Sequence, residues 1–354
     1  MTELQMLAIA YLFFLALIGA EVAICRLKGD GGYGLGEMVS NIGHGIVYQV
    51  FDFLTKGWVA LPYMAVSSWV GWELLPMDKA WSWVVGLLLY DFCSYWAHRH
   101  HHEVHFLWAI HGVHHAAEEY NLAAALRQPA FQRVFSWMWR LPLALVMPLQ
   151  MFISLVVFDF LYQFVQHTRY VGKLGPLGWV MNTPSHHRVH HGTEAHYLDK
   201  NYGGILILWD RLFGTFQAEF EEPTPGLTRP LSTQSPLWGN LAIYAQLWAA
   251  SKRAKGWNRL WLWGAGPAHL DRLAPETEHP SPAPTDVSPA SLPAMVVVGL
   301  TSATVLPLLG WTLLVGDSWP AFAQLAAAGF ILAATVTACA LLEYDAEKPP
   351  LYRA

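Results

Sequence analysis

Histidine is concentrated in three short clusters of the sequence: "HRHHHE" from residue 98, "HGVHH" from residue 111 and "HRVHH" from residue 187. Residues three and four positions apart share one face of a helix, so each cluster can direct two or three imidazoles at one point. Eight ring nitrogens exceed the needs of one tetrahedral metal and suit two metals with open positions. The predicted ligands are His98, His102, His111, His114, His115, His187, His190 and His191.

An acidic and a phenolic side chain precede the first cluster on the same predicted helix face. Asp91 and Tyr95 lie seven and three residues before His98. A carboxylate beneath a ligand histidine commonly fixes the tautomer of that histidine. Asp91 also lies in an apolar segment, where a charge is costly unless it is functional or paired. We therefore expect Asp91 and Tyr95 to be catalytic residues, with Asp91 orienting a ligand; the alternative is a buried Asp bonded to Tyr or to backbone.

The other histidines lack this pattern. A lone histidine is more often a core residue than a ligand, and a loose histidine-rich loop can act as a metal buffer, but neither explains three clusters in helical register. His44, His269 and His279 are isolated, and His100 and His101 point away from the ligand face; His186 and His196 fit either reading.

Composition indicates a membrane protein. Hydrophobic residues make up 54% of the 354 positions and charged residues only 13%. Residues 4–25 supply the ~20 apolar positions that a spanning helix needs and have no basic segment before them, which favours a retained span over a cleaved signal peptide.

The net charge of -5 and the absence of a basic stripe give no reason to expect a nucleic-acid partner. The three cysteines show no spacing typical of disulfides or of a zinc ribbon.

Further apolar segments predict a polytopic, all-α membrane helix bundle. Arg26 and Lys28 place the end of the first span on the cytoplasmic side. Counting spans from there puts every histidine cluster on that side, with polar residues 168–293 as a histidine-rich helical cap. We predict one domain over 1–290, holding the di-metal site, and a C-terminal transmembrane hairpin and tail over 291–354. The other predicted apolar segments are 38–72, 81–96, a helical hairpin over 130–166 bent near Pro148, 294–316 and 320–342.

The order HxxxH, HxxHH, HxxHH among membrane spans resembles the fatty acid hydroxylase/sterol desaturase superfamily of non-haem diiron enzymes. Three longer strings are similar to its alkylglycerol monooxygenase branch in particular, and the likeness covers about residues 20 to 260. These strings are "HEVHFLWAIHGVHHAAEEYNLAAALRQ", "FLYQFVQHTRYVGKLGPLGWVMNTPSHHRVHHG" and "YLDKNYGGILILWDRLFGTFQAE".

The resemblance implies a set of residue roles. The eight motif histidines would hold two irons, for which zinc could substitute on purification, and Glu103 would be needed for activity. His167 matches a position where the superfamily adds a ligand, although Val171 replaces the usual second histidine. Asp199 and Asn201 would fix the fold beside the site.

The resemblance also implies a reaction: O₂-dependent hydroxylation of the carbon beside the ether oxygen of an alkylglycerol, with tetrahydrobiopterin as reductant. The sequence contains no GxGxxG nucleotide motif after a strand and no HPGG haem module, so we expect an external electron donor. The expected partners are therefore a membrane lipid substrate, O₂ and that donor.

Three alternatives remain at this stage. Within the superfamily, the substrate could be a fatty acyl, sterol or carotenoid-like chain. A metal transporter would also place histidines near spans, but its ligands should lie along a mid-bilayer path. A lipid-directed serine hydrolase lacks support because the sequence contains no GxSxG motif.

Overall fold

The computed structural model of the chain describes residues 3–71, 74–231, 233–274 and 291–347. Within those residues the fold is helical, with two isolated β-bridges and no strand, which confirms the all-α prediction. The helices are α1 (Glu3–Lys28), α2 (Leu35–Val70), α3 (Ala80–Glu103), α4 (His105–His115), α5 (Gln132–Arg140), α6 (Leu149–Gln166), α7 (Pro184–His190), α8 (Leu208–Phe213), α9 (Pro236–Arg253), α10 (Asn258–Gly264), α11 (Leu270–Leu273), α12 (Leu292–Val315) and α13 (Ala321–Glu347).

Three helices in the described part of the chain are long and apolar enough to cross a membrane, namely α6, α12 and α13. Large apolar side chains such as Trp311 and Phe322 lie exposed on α12 and α13, as lipid-facing residues would. Helices α1 to α3, which the sequence also predicts to span, are 26, 36 and 24 residues long. The number of crossings and the side on which the cap lies stay predictions.

The predicted hairpin over 130–166 breaks where expected. Pro148 precedes α6 with an extended backbone (φ -64°, ψ 146°), since its ring removes an N–H and disfavours helix in the residue before it. The arm before the break is shorter than predicted. It consists of α5, nine residues long, and a 3₁₀ turn over Leu141–Leu145. At 1.5 Å per residue α5 rises about 14 Å, about half of a ~30 Å hydrocarbon layer, so α5 alone is too short to span it.

The one charge in the first predicted span, Glu21, attaches α1 to the loops around the histidines. Its carboxylate accepts hydrogen bonds from the Tyr33 hydroxyl, from the Leu122 N–H at 2.7 Å and from the Thr168 hydroxyl at 2.6 Å. Three donors compensate the burial of this carboxylate, so α1 is held in one position against the chain segments that follow α4 and α6.

The C-terminal pair α12 and α13 packs against α2. Ile46, Val50 and Phe53 of α2 form a buried cluster with Val305, Leu309, Leu313, Ala328 and Ile331. The proposed domain division at residue 290 stays a prediction, because residues 275–290, which include His279 and most of the predicted Pro-rich linker, lie outside the described residues.

Candidate metal centre

A break between α3 and α4 brings the first two clusters together. Val104 has an extended backbone (φ -116°, ψ 118°), and its N–H bonds the carbonyl of His100, which ends α3. The chain then turns into α4, which packs beside α3. The last turn of α3 and the last turn of α4 therefore present their imidazoles to each other.

The third cluster lies on the short helix α7. Pro184 occupies the first helical position, where its missing N–H costs nothing and its fixed φ favours the helix. His187 and His190 belong to the helix, and His191 caps its C-terminus in helical conformation (φ -86°, ψ -2°). The predicted i, i+3, i+4 arrangement of this cluster is therefore present.

The structure divides nine buried or half-buried histidines into two groups. Within each group one nitrogen per residue lies within 4.8 Å of the corresponding nitrogen of every other member. The rings of His115 and His191, one from each group, stack with centroids 4.3 Å apart, so the groups adjoin. The five-histidine group is His98, His102, His111, His115 and His190; the four-histidine group is His114, His167, His187 and His191.

Each HxxHH motif supplies both groups. In α4 the i, i+4 pair His111 and His115 joins the five-histidine group, and His114 joins the other. On α7 the i, i+4 pair His187 and His191 joins the four-histidine group, and His190 crosses to the five-histidine group. Every residue of the predicted ligand list, His167 included, falls within one of the groups.

Backbone carbonyls fix the tautomers of several of these imidazoles. The Nδ1 atoms of His114 and His167 lie 3.1 and 2.8 Å from the carbonyl oxygens of Arg127 and Gln163. A carbonyl only accepts, so Nδ1 carries the proton and Nε2 keeps its lone pair. His98 and His190 are held the same way, their Nδ1 atoms 2.8 and 2.9 Å from the carbonyls of Tyr202 and Lys200.

These bare lone pairs face each other. The Nε2 atoms of His114 and His167 are 3.3 Å apart, although neither carries a proton to share. Metal–imidazole bonds of about 2.0–2.1 Å would make neighbouring ligand nitrogens about 3.0 Å apart at 90° and about 3.4 Å apart at the tetrahedral angle. The separation of His98 and His111 Nε2, 3.0 Å, also matches such an edge. The Nε2 atoms of His102, His190 and His191 are buried without a hydrogen-bond partner. The donor set fits two cations.

Burial keeps these imidazoles neutral. It lowers the pKa of His167 to about 4 and holds the pKa values of His114 and His191 well below the ordinary range, with neighbouring imidazoles lowering the latter two further. A neutral imidazole is the form that binds metal, so both groups are ready to coordinate at neutral pH.

Asp91 does not orient a histidine, contrary to our expectation. Its carboxylate accepts from the N–H groups of Ile205 and Leu206 at 2.9 and 3.0 Å and from the Trp209 indole at 3.0 Å. The alternative, a buried Asp bonded to backbone, is the correct one. The segment over residues 205–209 packs against Asp91 and brings these N–H donors within hydrogen-bond distance of its carboxylate. The spacing in the sequence could not indicate this segment.

Tyr95 and Glu103 also lie outside both histidine groups. The Tyr95 hydroxyl is 3.0 Å from the Thr215 hydroxyl and accepts from Arg99 at 3.3 Å. Glu103 forms an ion pair with Arg99 at 2.8 Å, and its side chain is 40% exposed. The catalytic roles of Tyr95 and Glu103 stay predictions.

Asp199 and Asn201 both adopt left-handed backbone conformations (φ 57° and 56°), which few non-glycine residues do. The Asn201 amide donates to the carbonyls of His186 and Gln217 at 3.1 and 2.7 Å and accepts from the Gln217 N–H. This segment continues into Tyr202, whose carbonyl holds His98, so the turn positions a ligand as expected.

The histidines excluded from the ligand list lie outside both groups where the structure describes them. His101 Nδ1 is 2.6 Å from its own helix carbonyl Ala97, and His100 accepts from the Trp139 indole at 2.9 Å. His44 is bonded to the Ser40 carbonyl at 2.8 Å, and His196 pairs with Glu221.

Sequence reasoning missed Gln132 and Asp210. The Gln132 side-chain oxygen lies 3.0 Å from His111 Nδ1, so it is the only side chain that orients a group member through a hydrogen bond among the described residues. Asp210 accepts from the Tyr202 and Gly203 N–H groups, both at 2.8 Å, and burial raises its pKa to about 6. Asp210 is an acidic residue in the mainly apolar stretch "ILWDRLF", which could have indicated a buried carboxylate. No feature of the sequence indicated the role of Gln132.

The five-histidine group also borders a polar cavity of about 230 Å³. His102, His115 and His190 form its inner wall. Its other polar lining comes from Thr193, Asp199, Gln246 and an Arg229–Asp271 ion pair, beside apolar residues such as Trp108 and Ile243. A polar molecule or water can therefore approach this group.

Fold and site together define a helical protein with membrane-length apolar helices and a buried polyhistidine centre of two groups, each of which could hold a metal ion. Residues 83–215 match the fatty acid hydroxylase family model, and this segment contains all nine grouped histidines. The chain therefore carries a fatty acid hydroxylase domain, which confirms the resemblance seen in the motifs.

Relatives with established names support the same branch. The chain is 40% identical over 238 residues to alkylglycerol monooxygenase of Danio rerio and 41% identical over 228 residues to that of Homo sapiens, covering 67% and 64% of this chain. It is 31% identical over 190 residues to the ornithine lipid hydroxylase OlsE of Rhizobium tropici, covering 53% of this chain. The chain spans about half the length of these curated relatives, 53%, 51% and 56% respectively. No solved structure gives a significant match.

Proposed function

We propose that the protein is an O₂-dependent lipid monooxygenase that holds two irons in its histidine groups and hydroxylates the carbon beside the ether oxygen of an alkylglycerol. The observation that carries the proposal is the set of unprotonated, buried imidazole nitrogens facing one another in two adjoining groups. The names of the relatives supply the substrate class.

Iron follows from the chemistry that the reaction needs. Imidazole suits zinc, copper, nickel and iron alike, but zinc has no redox chemistry and favours four ligands, fewer than the five-histidine group offers. Bound iron would supply the capacity to reduce O₂ and oxidise an unactivated C–H bond.

In this reaction one oxygen atom of O₂ enters the C–H bond, and the other leaves as water with two electrons and two protons from a reductant. The resulting hemiacetal then breaks its bond to the glycerol oxygen, transfers a proton and yields an aldehyde and glycerol. Tetrahydrobiopterin is the proposed two-electron donor, and the polar cavity beside His102, His115 and His190 is its proposed route of approach.

The chain's own residues orient the ligands and exclude water. The carbonyls of Arg127, Gln163 and Tyr202 keep His114, His167 and His98 in the tautomer with a free Nε2. The four-histidine group is buried at every member, so an alkyl chain beside it would be shielded from water. Glu103 is proposed to contribute to activity from the end of α3.

Hydroxylation of another lipid is the second candidate, favoured by the likeness to the ornithine lipid hydroxylase. A single experiment separates the two. Detergent-purified protein is analysed for metal, loaded anaerobically with Fe(II), and given O₂, tetrahydrobiopterin and an alkylglycerol, with products followed by mass spectrometry. About two irons per chain with aldehyde release is the expected result. Two metals without ether cleavage would move the substrate to another lipid, and no stoichiometric metal would overturn the proposal.

A further inference from the structure

A two-lobed chamber lies among α2, α5 and α6. One lobe, of about 140 Å³, is lined largely by polar side chains and is called the polar lobe. The other, of about 280 Å³, is lined mainly by apolar residues and is called the apolar lobe. Both are lined by Arg133, Arg140 and Val156, so the lobes adjoin at these residues.

The polar lobe reaches the metal centre. His167, a member of the four-histidine group, forms part of its wall. Gln132, whose side-chain oxygen is 3.0 Å from His111 of the five-histidine group, forms another part. A molecule in the polar lobe therefore lies beside both groups.

The polar lobe holds polar atoms that the protein leaves unsatisfied. The side-chain oxygen of Gln49 has no hydrogen-bond partner, although this residue is only 2% exposed. The Nε atom of Arg140 is also buried without a partner. A buried polar atom without a partner costs free energy. The Gln49 oxygen is an acceptor and the Arg140 Nε–H is a donor, and both residues line the polar lobe. A ligand that can both donate and accept hydrogen bonds, as a hydroxyl group does, would satisfy them.

The charges around the polar lobe balance within the protein. Arg133 pairs with Asp52 at 2.7 Å, and Arg140 lies 3.9 Å from Asp159. Asp159 also accepts hydrogen bonds from the Tyr90 hydroxyl and the Gln163 amide at 2.9 and 2.8 Å. Because each arginine already has a carboxylate, a phosphate or carboxylate headgroup would bring an uncompensated charge into the bundle. An uncharged headgroup fits.

The apolar lobe suits one alkyl chain. Leu61, Phe152 and Ile153 contribute apolar side chains, while Gly57 and Ala60 of α2 leave space along one wall. Methylene groups bound there would contact apolar side chains and would need no hydrogen-bond partners.

We infer that this chamber is the substrate site and that it selects a lipid with an uncharged, hydroxyl-bearing headgroup on one alkyl chain. The headgroup occupies the polar lobe, with Gln49 and Arg140 bonding its hydroxyl groups, and the chain occupies the apolar lobe. The carbon nearest the headgroup then lies closer to the histidines than a mid-chain carbon does. This inference rests on the proposed function and identifies what in this chain selects a glycerol ether.

The first test compares headgroups on the iron-loaded protein. Turnover is measured for 1-O-hexadecylglycerol, for hexadecyl methyl ether, which lacks the hydroxyls, and for 1-O-hexadecylglycerol 3-phosphate. The glycerol ether should exceed the other two in kcat/KM by about 10- to 100-fold, because they leave buried polar groups unpaired or add a buried charge. Equal kcat/KM values for the glycerol and methyl ethers would overturn the inference.

The second test removes the unsatisfied amide. Gln49→Leu should lower kcat/KM for the glycerol ether about tenfold or more and leave the methyl ether unchanged, so that the headgroup preference collapses. Gln150→Leu makes the same substitution at an exposed position of α6 and should keep the preference. Iron content serves as the folding check. A Gln49→Leu protein that binds iron and keeps the full headgroup preference would contradict the assignment of the polar lobe.

The third test shortens the apolar lobe. Ala60→Phe should shift preference from hexadecyl to octyl chains, whereas Ala326→Phe, at an exposed position of α13, should not. An unchanged chain-length profile in Ala60→Phe would contradict the assignment of the apolar lobe.

Binding without turnover separates this inference from the proposed function. Zinc-loaded protein cannot reduce O₂, but it should still gain thermal stability from 1-O-hexadecylglycerol in wild-type form and gain less in Gln49→Leu. Loss of turnover with this binding pattern intact would count against the proposed reaction alone. Turnover with equal stabilisation of wild type and Gln49→Leu would count against the chamber alone.

Discussion

The two histidine groups draw on the same motifs but have different surroundings. The five-histidine group has one more imidazole than a tetrahedral site needs and borders the polar cavity. The four-histidine group has no spare ligand and touches, through His167, the chamber among α2, α5 and α6. Backbone carbonyls fix tautomers in both groups, at His98 and His190 in the first and at His114 and His167 in the second. Their tautomer control differs at His111, which the Gln132 side chain holds in the first group.

This difference assigns different tasks to two otherwise similar sites. The group on the polar cavity is open to water-soluble reactants, and the group on the chamber is close to the proposed lipid site. Because α4 and α7 each contribute to both groups, a shift of either helix changes both sites together. Single substitutions can still affect one histidine group and leave the other unchanged.

The largest expected effect is loss of one metal from the four-histidine group. His114→Ala leaves three imidazoles there, so metal content should fall from about two to about one per chain, and turnover should disappear. His102→Ala leaves four ligands in the other group and should keep about two metals with weaker affinity. His269→Ala, outside both groups, is the control. Equal metal content in His114→Ala and His102→Ala would remove the distinction between spare and obligatory ligands.

Acid should destabilise the metal-free protein through its buried imidazoles. Burial lowers the pKa of His167 to about 4, whereas an unfolded histidine titrates near 6.5. Between those values the unfolded chain binds more protons, so the free energy of unfolding falls as pH falls, by about 1.4 kcal/mol per pH unit for each such histidine. Thermal unfolding of chelator-treated protein from pH 7 to pH 4 measures this. His167→Gln, which cannot titrate, should give a shallower slope, and an identical slope would exclude His167 as a contributor.

Gln132 provides a way to weaken one group selectively. Gln132→Leu removes the hydrogen bond to His111 and should lower metal affinity about 10- to 100-fold at the five-histidine group alone. Competition with a chelator should then show one of two metals released early. Release of both metals at the same chelator concentration would mean that the groups bind as one unit. The exposed Gln150→Leu should release metal like the wild type.

The smallest effect on the metals is expected from Asp91. Asp91→Asn places an amide against three donors and should reduce the free energy of unfolding by about 1–3 kcal/mol, because at least one buried N–H loses its acceptor. Metal affinity should change less than in Gln132→Leu, since Asp91 acts on His98 only through the segment that carries Tyr202. A larger loss of metal than in Gln132→Leu would restore a direct role for this carboxylate.

Much of the candidate centre could be predicted because helical spacing is a local property. His98 and His102, or His111 and His115, share a face in any α-helix. The apolar lengths of α12 and α13 are local in the same way, as is the break at Pro148. The short arm before that break was mispredicted because hydropathy cannot tell a spanning helix from a nine-residue helix packed against α2 and α3.

Tertiary structure alone decided how the histidines are shared. Spacing could not indicate that His190 and His114 would leave their own motif partners for the opposite group, since that depends on how α4 and α7 approach each other. Nor could it indicate that Asp91 would bind the backbone of Ile205 and Leu206, that Gln132 would bind His111, or that Gln49 would face a chamber beside the centre. The sequence by itself determined which side chains could bind metal, because that follows from residue type and helical period. The packing of distant segments determined which nitrogens meet, because backbone donors and acceptors leave no mark in the sequence.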